Sequence, residues 1–158
     1  MILSGAVGSA TAPGKIQTQL LSIKTADGID LHGAVWSPAS GKAKLGFGLA
    51  QGTGAEFYET WLAWFGPGLA EMGCMAISLN RRDHGQDSGF FNMEPAAMDH
   101  KYAIDFLMNR GVDKVVLAGH SFGTVTVPYY VMATKDQRWL RRSARKSCFL
   151  TLMTLALA

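Results

Sequence analysis

The sequence predicts an α/β fold, a mostly parallel sheet with flanking helices, and three observations predict it. Three short apolar runs show no alternation of polar and apolar residues, as strands buried on both faces require. The longer stretches between them repeat apolar residues every three or four positions, as amphipathic helices do. Two alternating runs joined across an Asp-Gly pair come first, which signals a hairpin.

Each element follows in chain order. Met1 to Lys15 is rich in Gly, Ala and Ser and lacks a basic segment and a long apolar run. It reads as part of a flexible lead-in over residues 1–19, not as a signal peptide. Leu20 to Thr25 and Ile29 to Trp36 flank Ala26-Asp27-Gly28, with Ile29, Leu31, Gly33 and Val35 on one face. Pro38 to Lys44 is a loop. Lys44 to Gln51 is the first buried strand, followed by Gly52-Thr53-Gly54. From Tyr58 to Met72, the residues Trp61, Leu62, Phe65, Leu69 and Met72 form an apolar stripe, and Pro67 is expected to kink or break that helix.

Cys74 to Leu79 is the second buried strand, and Asn80 to Gly89 a polar loop. Glu94-Pro95 opens a helix that runs to about Asn109, with Met98, Tyr102 and Phe106 facing inward and Gly111 as its stop. Lys114 to Ala118 is the third buried strand. It runs directly into Gly119-His120-Ser121-Phe122-Gly123, after which Phe122 to about Thr134 is helical with Pro128 inside it. Helices between short buried strands imply right-handed crossovers and hence a parallel arrangement.

Composition narrows the function classes. A chain of 158 residues suits one domain, and 48% hydrophobic residues can fill its core. The net charge of +3 belongs to the tail: Arg138, Arg141, Arg142, Arg145 and Lys146 face no acidic residue after Gln137, which leaves residues 1–137 at −2. No basic face for nucleic acid is expected. Cys74 and Cys148 have no metal or disulfide spacing, so no metal site is expected and a reducing, cytoplasmic compartment is the default. No run reaches the roughly 18 apolar residues of a membrane span. Gly52-Thr53-Gly54 lacks the spacing of a dinucleotide fingerprint and any P-loop lysine, so no cofactor is expected.

The chemistry concentrates at Ser121. A serine hydroxyl is a weak nucleophile that needs a base within hydrogen-bond reach and donors aimed at the oxyanion it creates. A tight turn from strand to helix pushes the hydroxyl out at the C-terminal edge of the sheet and brings the next N–H to a helix start. Small residues two before and two after the serine prevent clashes, and Gly119 and Gly123 meet that need.

In this context, Gly119 to Gly123 resembles the nucleophile elbow of the α/β-hydrolase fold family. Leu49-Ala50-Gln51-Gly52-Thr53-Gly54 resembles that family's His-Gly loop after the third strand. Asn80-Arg81-Arg82-Asp83-His84-Gly85-Gln86-Asp87-Ser88 resembles its Asp-x-Arg-Gly-His-Gly-x-Ser loop after the fourth. The resemblance covers about Leu20 to Ala133. It implies Ser121 as nucleophile, backbone N–H groups of Phe122 and Thr53 as the oxyanion hole, and His120 as a turn residue pointing away from the catalytic face. It also implies a small-molecule ester, thioester or amide substrate. Gln51 stands where the family has histidine, Asn80 and Asp83 replace its aspartate and glycine, and Thr124 stands where a further glycine is common.

The family's triad runs Ser, then Asp or Glu, then His. The 37 residues after Ser121 hold one carboxylate, Asp136, and no histidine. His84 sits in a loop at the same sheet edge and reads as a loop hydrogen-bonder. His32 and His100 read as surface residues. The resemblance therefore covers an N-terminal part that is incomplete at the C-terminus, with the triad acid and histidine missing and activity absent or very low. Residues 138–158 form an atypical tail, basic and then apolar for 11 residues from Cys148 to Ala158. That tail reads as a covering strand or helix, a membrane-surface segment or, the favoured reading, out-of-frame translation. A sheet without later strands exposes an edge that a partner chain would cover. The alternative to a hydrolase is a non-catalytic hydrolase-like binding module or decaying gene product.

Overall fold

The computed structural model describes residues 14–84 and 92–135. The tail from 138 onward, Asp136 and the part of the polar loop at 85–89 lie outside the described residues. The described residues form five strands and four helices in the order β1 (Ile16–Lys24), β2 (Asp30–Pro38), β3 (Leu45–Ala50), α1 (Thr60–Glu71), β4 (Met75–Leu79), α2 (Met93–Met98), α3 (His100–Asn109), β5 (Lys114–Gly119) and α4 (Gly123–Thr134). The sheet order is β1-β2-β4-β3-β5. β1 and β2 form the expected antiparallel hairpin, with Leu20 opposite Ala34. β2 also runs antiparallel to β4, whereas β3 is parallel to both β4 and β5. The sheet is thus mixed, with its parallel half where the three apolar runs lie.

Burial on both faces explains why those runs do not alternate. Leu31 and Val35 of β2, Met75 and Ile77 of β4 and Val115 of β5 pack into one core with Ala103, Ile104 and Leu107 of α3 and Tyr130 of α4. Their neighbours Ala34, Trp36, Ala76 and Ala118 pack the other way, into a second core with Leu62, Leu69 and Ala70 of α1. The period of two is still present, but both phases meet apolar partners. Burying an aliphatic side chain stabilises by about 1.5–3 kcal/mol, so both layers contribute.

Several expectations are corrected. β1 begins at Ile16, inside the stretch read as a lead-in, because Gln17 to Gln19 pair with Val35 to Ser37. Pro67 does not break α1, which continues to Glu71. Met72 caps that helix and is 79% exposed instead of facing the core. The single helix expected over Glu94 to Asn109 is two, α2 and α3, meeting at Asp99, whose carboxylate is drawn to Arg82. Gly111 stops α3 as expected, at φ +84 in the left-handed region. His32 is exposed on β2 as expected, but His100 is buried, not at the surface.

Candidate active site

The strand order reverses around β3. The crossover through α1 carries the chain from β3 to β4, and the next, through α2 and α3, returns past β3 to β5. At such a switch point the loops leaving adjacent strands part, and a crevice opens at the carboxyl ends. The loops that meet there are Gln51–Gly54 after β3 and His120–Phe122 after β5.

The turn at β5 is tight. Gly123 N–H donates to His120 O at 2.8 Å, and Thr124 donates to Ser121 O through both its N–H (2.9 Å) and its Oγ1 (2.6 Å). Ser121 is held at φ +52, a left-handed conformation that costs a non-glycine residue roughly 1–2 kcal/mol. Strain of this kind persists only where the surroundings enforce it. The glycines do so by close approach. A Cβ at Gly119 would lie 2.3 Å from Gly123 O, and one at Gly123 would lie 2.3 Å from Ala50 O. The turn therefore presses against the end of β3, where His120 N–H also donates to Ala50 O at 2.9 Å. Ser121 is exposed, and Phe122 is the N-cap of α4.

Gly52 completes the juxtaposition. A Cβ there would lie 3.3 Å from both Cβ and Oγ of Ser121, so the backbone of the β3 loop faces the serine hydroxyl. Thr53 is exposed beside it, and Gly54 is at φ +65 in a turn closed by Ala55 N–H on Gly52 O at 3.5 Å. The structure thus brings Ser121, Gly52 and Thr53 to one edge.

The remaining histidines sit elsewhere. Nδ1 of His84 lies 3.0 Å from Arg81 O, and its backbone bridges Gly54. The ring of His120 packs on Trp61 of α1 at 5.4 Å between centroids, with Nδ1 buried and unpartnered among the described residues. His100 Nε2 meets Thr126 Oγ1 of α4 at 2.9 Å, and Tyr130 packs edge-on against its ring. Burial, with the positive charge of Arg81 adding to it, pushes the His100 imidazole down to about 3, so it is neutral near pH 7. No histidine hydrogen-bonds Ser121 Oγ among the described residues.

Beneath the site lies a polar layer that sequence reasoning missed. Arg81, 3% exposed, donates from Nε and Nη2 to the two carboxylate oxygens of Asp83 at 2.9 and 3.0 Å. Its Nη1 and Nη2 also donate to Gln51 O and Gly52 O at 2.7 and 3.1 Å. Gln51 donates its side-chain amide to Leu79 O at 2.7 Å. Asn80 Oδ1 accepts from Phe57 N–H at 2.5 Å, and its Nδ2 donates to Glu56. Arg82 spans Asp99 and Asp27. The Arg82 guanidinium holds the Asp27 carboxyl well below the usual carboxylate range. A carboxylate two residues from an arginine, Asp83 beside Arg81, was the one available signal. No group of residues that would hold a metal ion occurs among the described residues. No helix among them is long and apolar enough to cross a membrane.

No protein-family model and no curated protein matches the chain. Solved structures do. A cold-adapted esterase from an Arctic intertidal metagenomic library superposes with a TM-score of 0.68 at 21% identity over 86% of this chain and 62% of its own. Brefeldin A esterase, a bacterial homologue of human hormone-sensitive lipase, gives 0.62 at 20% identity over 88% of this chain and 41% of its own. Est1E from Butyrivibrio proteoclasticus, solved with ferulic acid, gives 0.63 at 20% identity over 73% and 48%. The chain thus spans less than two thirds of the length of these esterases. The mixed five-stranded sheet, its flanking helices and these superpositions agree: the chain has the α/β-hydrolase fold.

Proposed function

We propose that the chain is the nucleophile-bearing part of a serine hydrolase acting on a small ester, thioester or amide. The observation that carries this reading is Ser121, strained at φ +52 and exposed at the sheet edge, with the Gly52 backbone against its Oγ. Oγ attacks the substrate carbonyl, the leaving alcohol, thiol or amine departs with a proton, and water then releases the acid from the acyl-serine. The N–H groups of Phe122 and Thr53 receive the oxyanion, which such donors stabilise by about 3–4 kcal/mol each. The turn residues Gly119, His120 and Gly123, which flank Ser121 and Phe122, hold that geometry.

None of the four histidines, His32, His84, His100 and His120, is bonded to Ser121 Oγ among the described residues. The 158 residues alone are therefore proposed to turn over slowly or not at all, retaining the residual contribution of oxyanion hole and binding. That same observation favours a second reading, a non-catalytic module of hydrolase fold. Reaction with a fluorophosphonate, followed by mass spectrometry of intact protein, separates them. The hydrolase reading expects one adduct per chain that disappears in Ser121→Ala. An adduct that survives Ser121→Ala, or none at all in the wild type, refutes it.

A further inference from the structure

We infer that Arg81 is a positioning residue that aims the Thr53 N–H at the oxyanion; the inference rests on the hydrolase reading of Ser121. In a strand, successive carbonyls point to opposite sides. Here Gln51 O and Gly52 O, consecutive, both accept from one guanidinium. The chain therefore leaves strand geometry at this point, and Arg81 holds it there. The Gly52 carbonyl and the Thr53 N–H belong to one planar peptide unit. That unit is trans, so the two groups point in opposite directions. Drawing Gly52 O inward onto Arg81 turns the Thr53 N–H outward, at the edge where Gly52 lies against Ser121 Oγ.

The environment of Arg81 fits this role better than a stabilising one. A buried ion pair repays its desolvation only when every donor is satisfied, and apolar replacements of equal size often do as well. Arg81 is 3% exposed and Asp83 4%. Asp83 binds two donors of the fork and so fixes its plane, which leaves the far side for the two loop carbonyls. A lysine carries the same charge but no rigid fork to hold two carbonyls and a carboxylate at once. The bridge between Gly54 and His84 ties the far end of the same turn to the Arg81 loop.

The test compares an alkyl fluorophosphonate with its P=S counterpart on the full chain. In each, Ser121 Oγ bonds to phosphorus, the P–F bond breaks, fluoride leaves with the bonding pair, and the hydroxyl proton passes to water. Sulfur is a poor hydrogen-bond acceptor, so the ratio of oxo to thio labelling rates reports the aim of the donors. A loss of folded protein lowers both rates together and leaves the ratio unchanged. Arg81→Met is expected to lower the oxo rate about 100-fold, the effect of losing one oxyanion donor, and to cut the ratio at least tenfold.

An unchanged ratio in folded Arg81→Met overturns the inference. If that variant shows no cooperative melt, Arg81→Lys carries the test, with a fall in the ratio expected and an unchanged ratio again overturning it. Labelling of the wild type that is absent, or that survives Ser121→Ala, refutes the hydrolase reading and this inference with it. Ser121-dependent labelling with an unchanged ratio refutes the role of Arg81 alone.

Discussion

Stability should fall as pH drops below about 6.5, because buried His100 resists protonation in the folded chain. The ring is 6% exposed, bonds Thr126 across the α3–α4 contact, and lies in the field of Arg81, a buried cation that cannot lose its charge. Its folded value of about 3 compares with an ordinary value of 6.5. Above pH 6.5 both states hold a neutral imidazole, and the group contributes no pH dependence. Between 6.5 and about 3 the unfolded chain takes up a proton that the folded chain refuses, so stability falls as pH falls. The slope is about 1.4 kcal/mol per pH unit, or about 3 kcal/mol at pH 4.5, two units below the ordinary value. That is a large share of the roughly 5–15 kcal/mol by which domains are stable.

The check is urea denaturation followed by circular dichroism at pH 7.5 and 4.5, on wild type and His100→Gln. Glutamine does not titrate and can still reach Thr126 Oγ1. The carboxylates Asp27, Asp83 and Asp99 are common to both proteins and cancel in the difference. Wild type should lose about 3 kcal/mol more than the variant between the two pH values. Equal losses would refute the buried, neutral assignment of His100.

Two further outcomes follow from backbone geometry and packing. Ser121→Gly should be more stable than Ser121→Ala by about 1 kcal/mol in thermal or urea denaturation, because only glycine adopts φ +52 without strain; equal stabilities would show that the turn relaxes. The α1 glycines should respond with opposite sign to alanine. A Cβ at Gly66 would lie 2.4 Å from the Trp36 ring, so Gly66→Ala should cost about 1–3 kcal/mol, whereas nothing lies within 4 Å at Gly68, so Gly68→Ala should gain about 0.5–1 kcal/mol. Like signs in a denaturant titration of the two variants would contradict the packing of α1 on β2.

Much of the architecture was legible because it is local. The Asp27-Gly28 pair set the hairpin, with Gly28 at φ +89. The apolar runs Lys44–Gln51, Cys74–Leu79 and Lys114–Ala118 became β3, β4 and β5 to within a residue or two of their ends. The elbow glycines, read as small residues needed in a tight turn, are both in sub-van-der-Waals proximity to backbone when given a Cβ. The break at Asp99 was not legible, because nothing in the helical spacing of Met98, Tyr102 and Phe106 announces that a carboxylate will be drawn to Arg82 across 17 residues of sequence. His100 was misplaced for a similar reason: its partner Thr126 lies 26 residues away on another helix.

The sequence by itself determined the order of elements, the turn that exposes Ser121 and the small residues around it. Each depends on neighbours within a few positions, where propensity, period and steric volume act directly. Only the tertiary structure decided that β2 pairs antiparallel with β4, that the β3 loop meets the β5 turn at Ser121, and that Arg81 and Asp83 lie buried beneath them. Those outcomes depend on which surfaces exclude water together, and a buried charge finds its partners only after the sheet has brought distant loops to one edge.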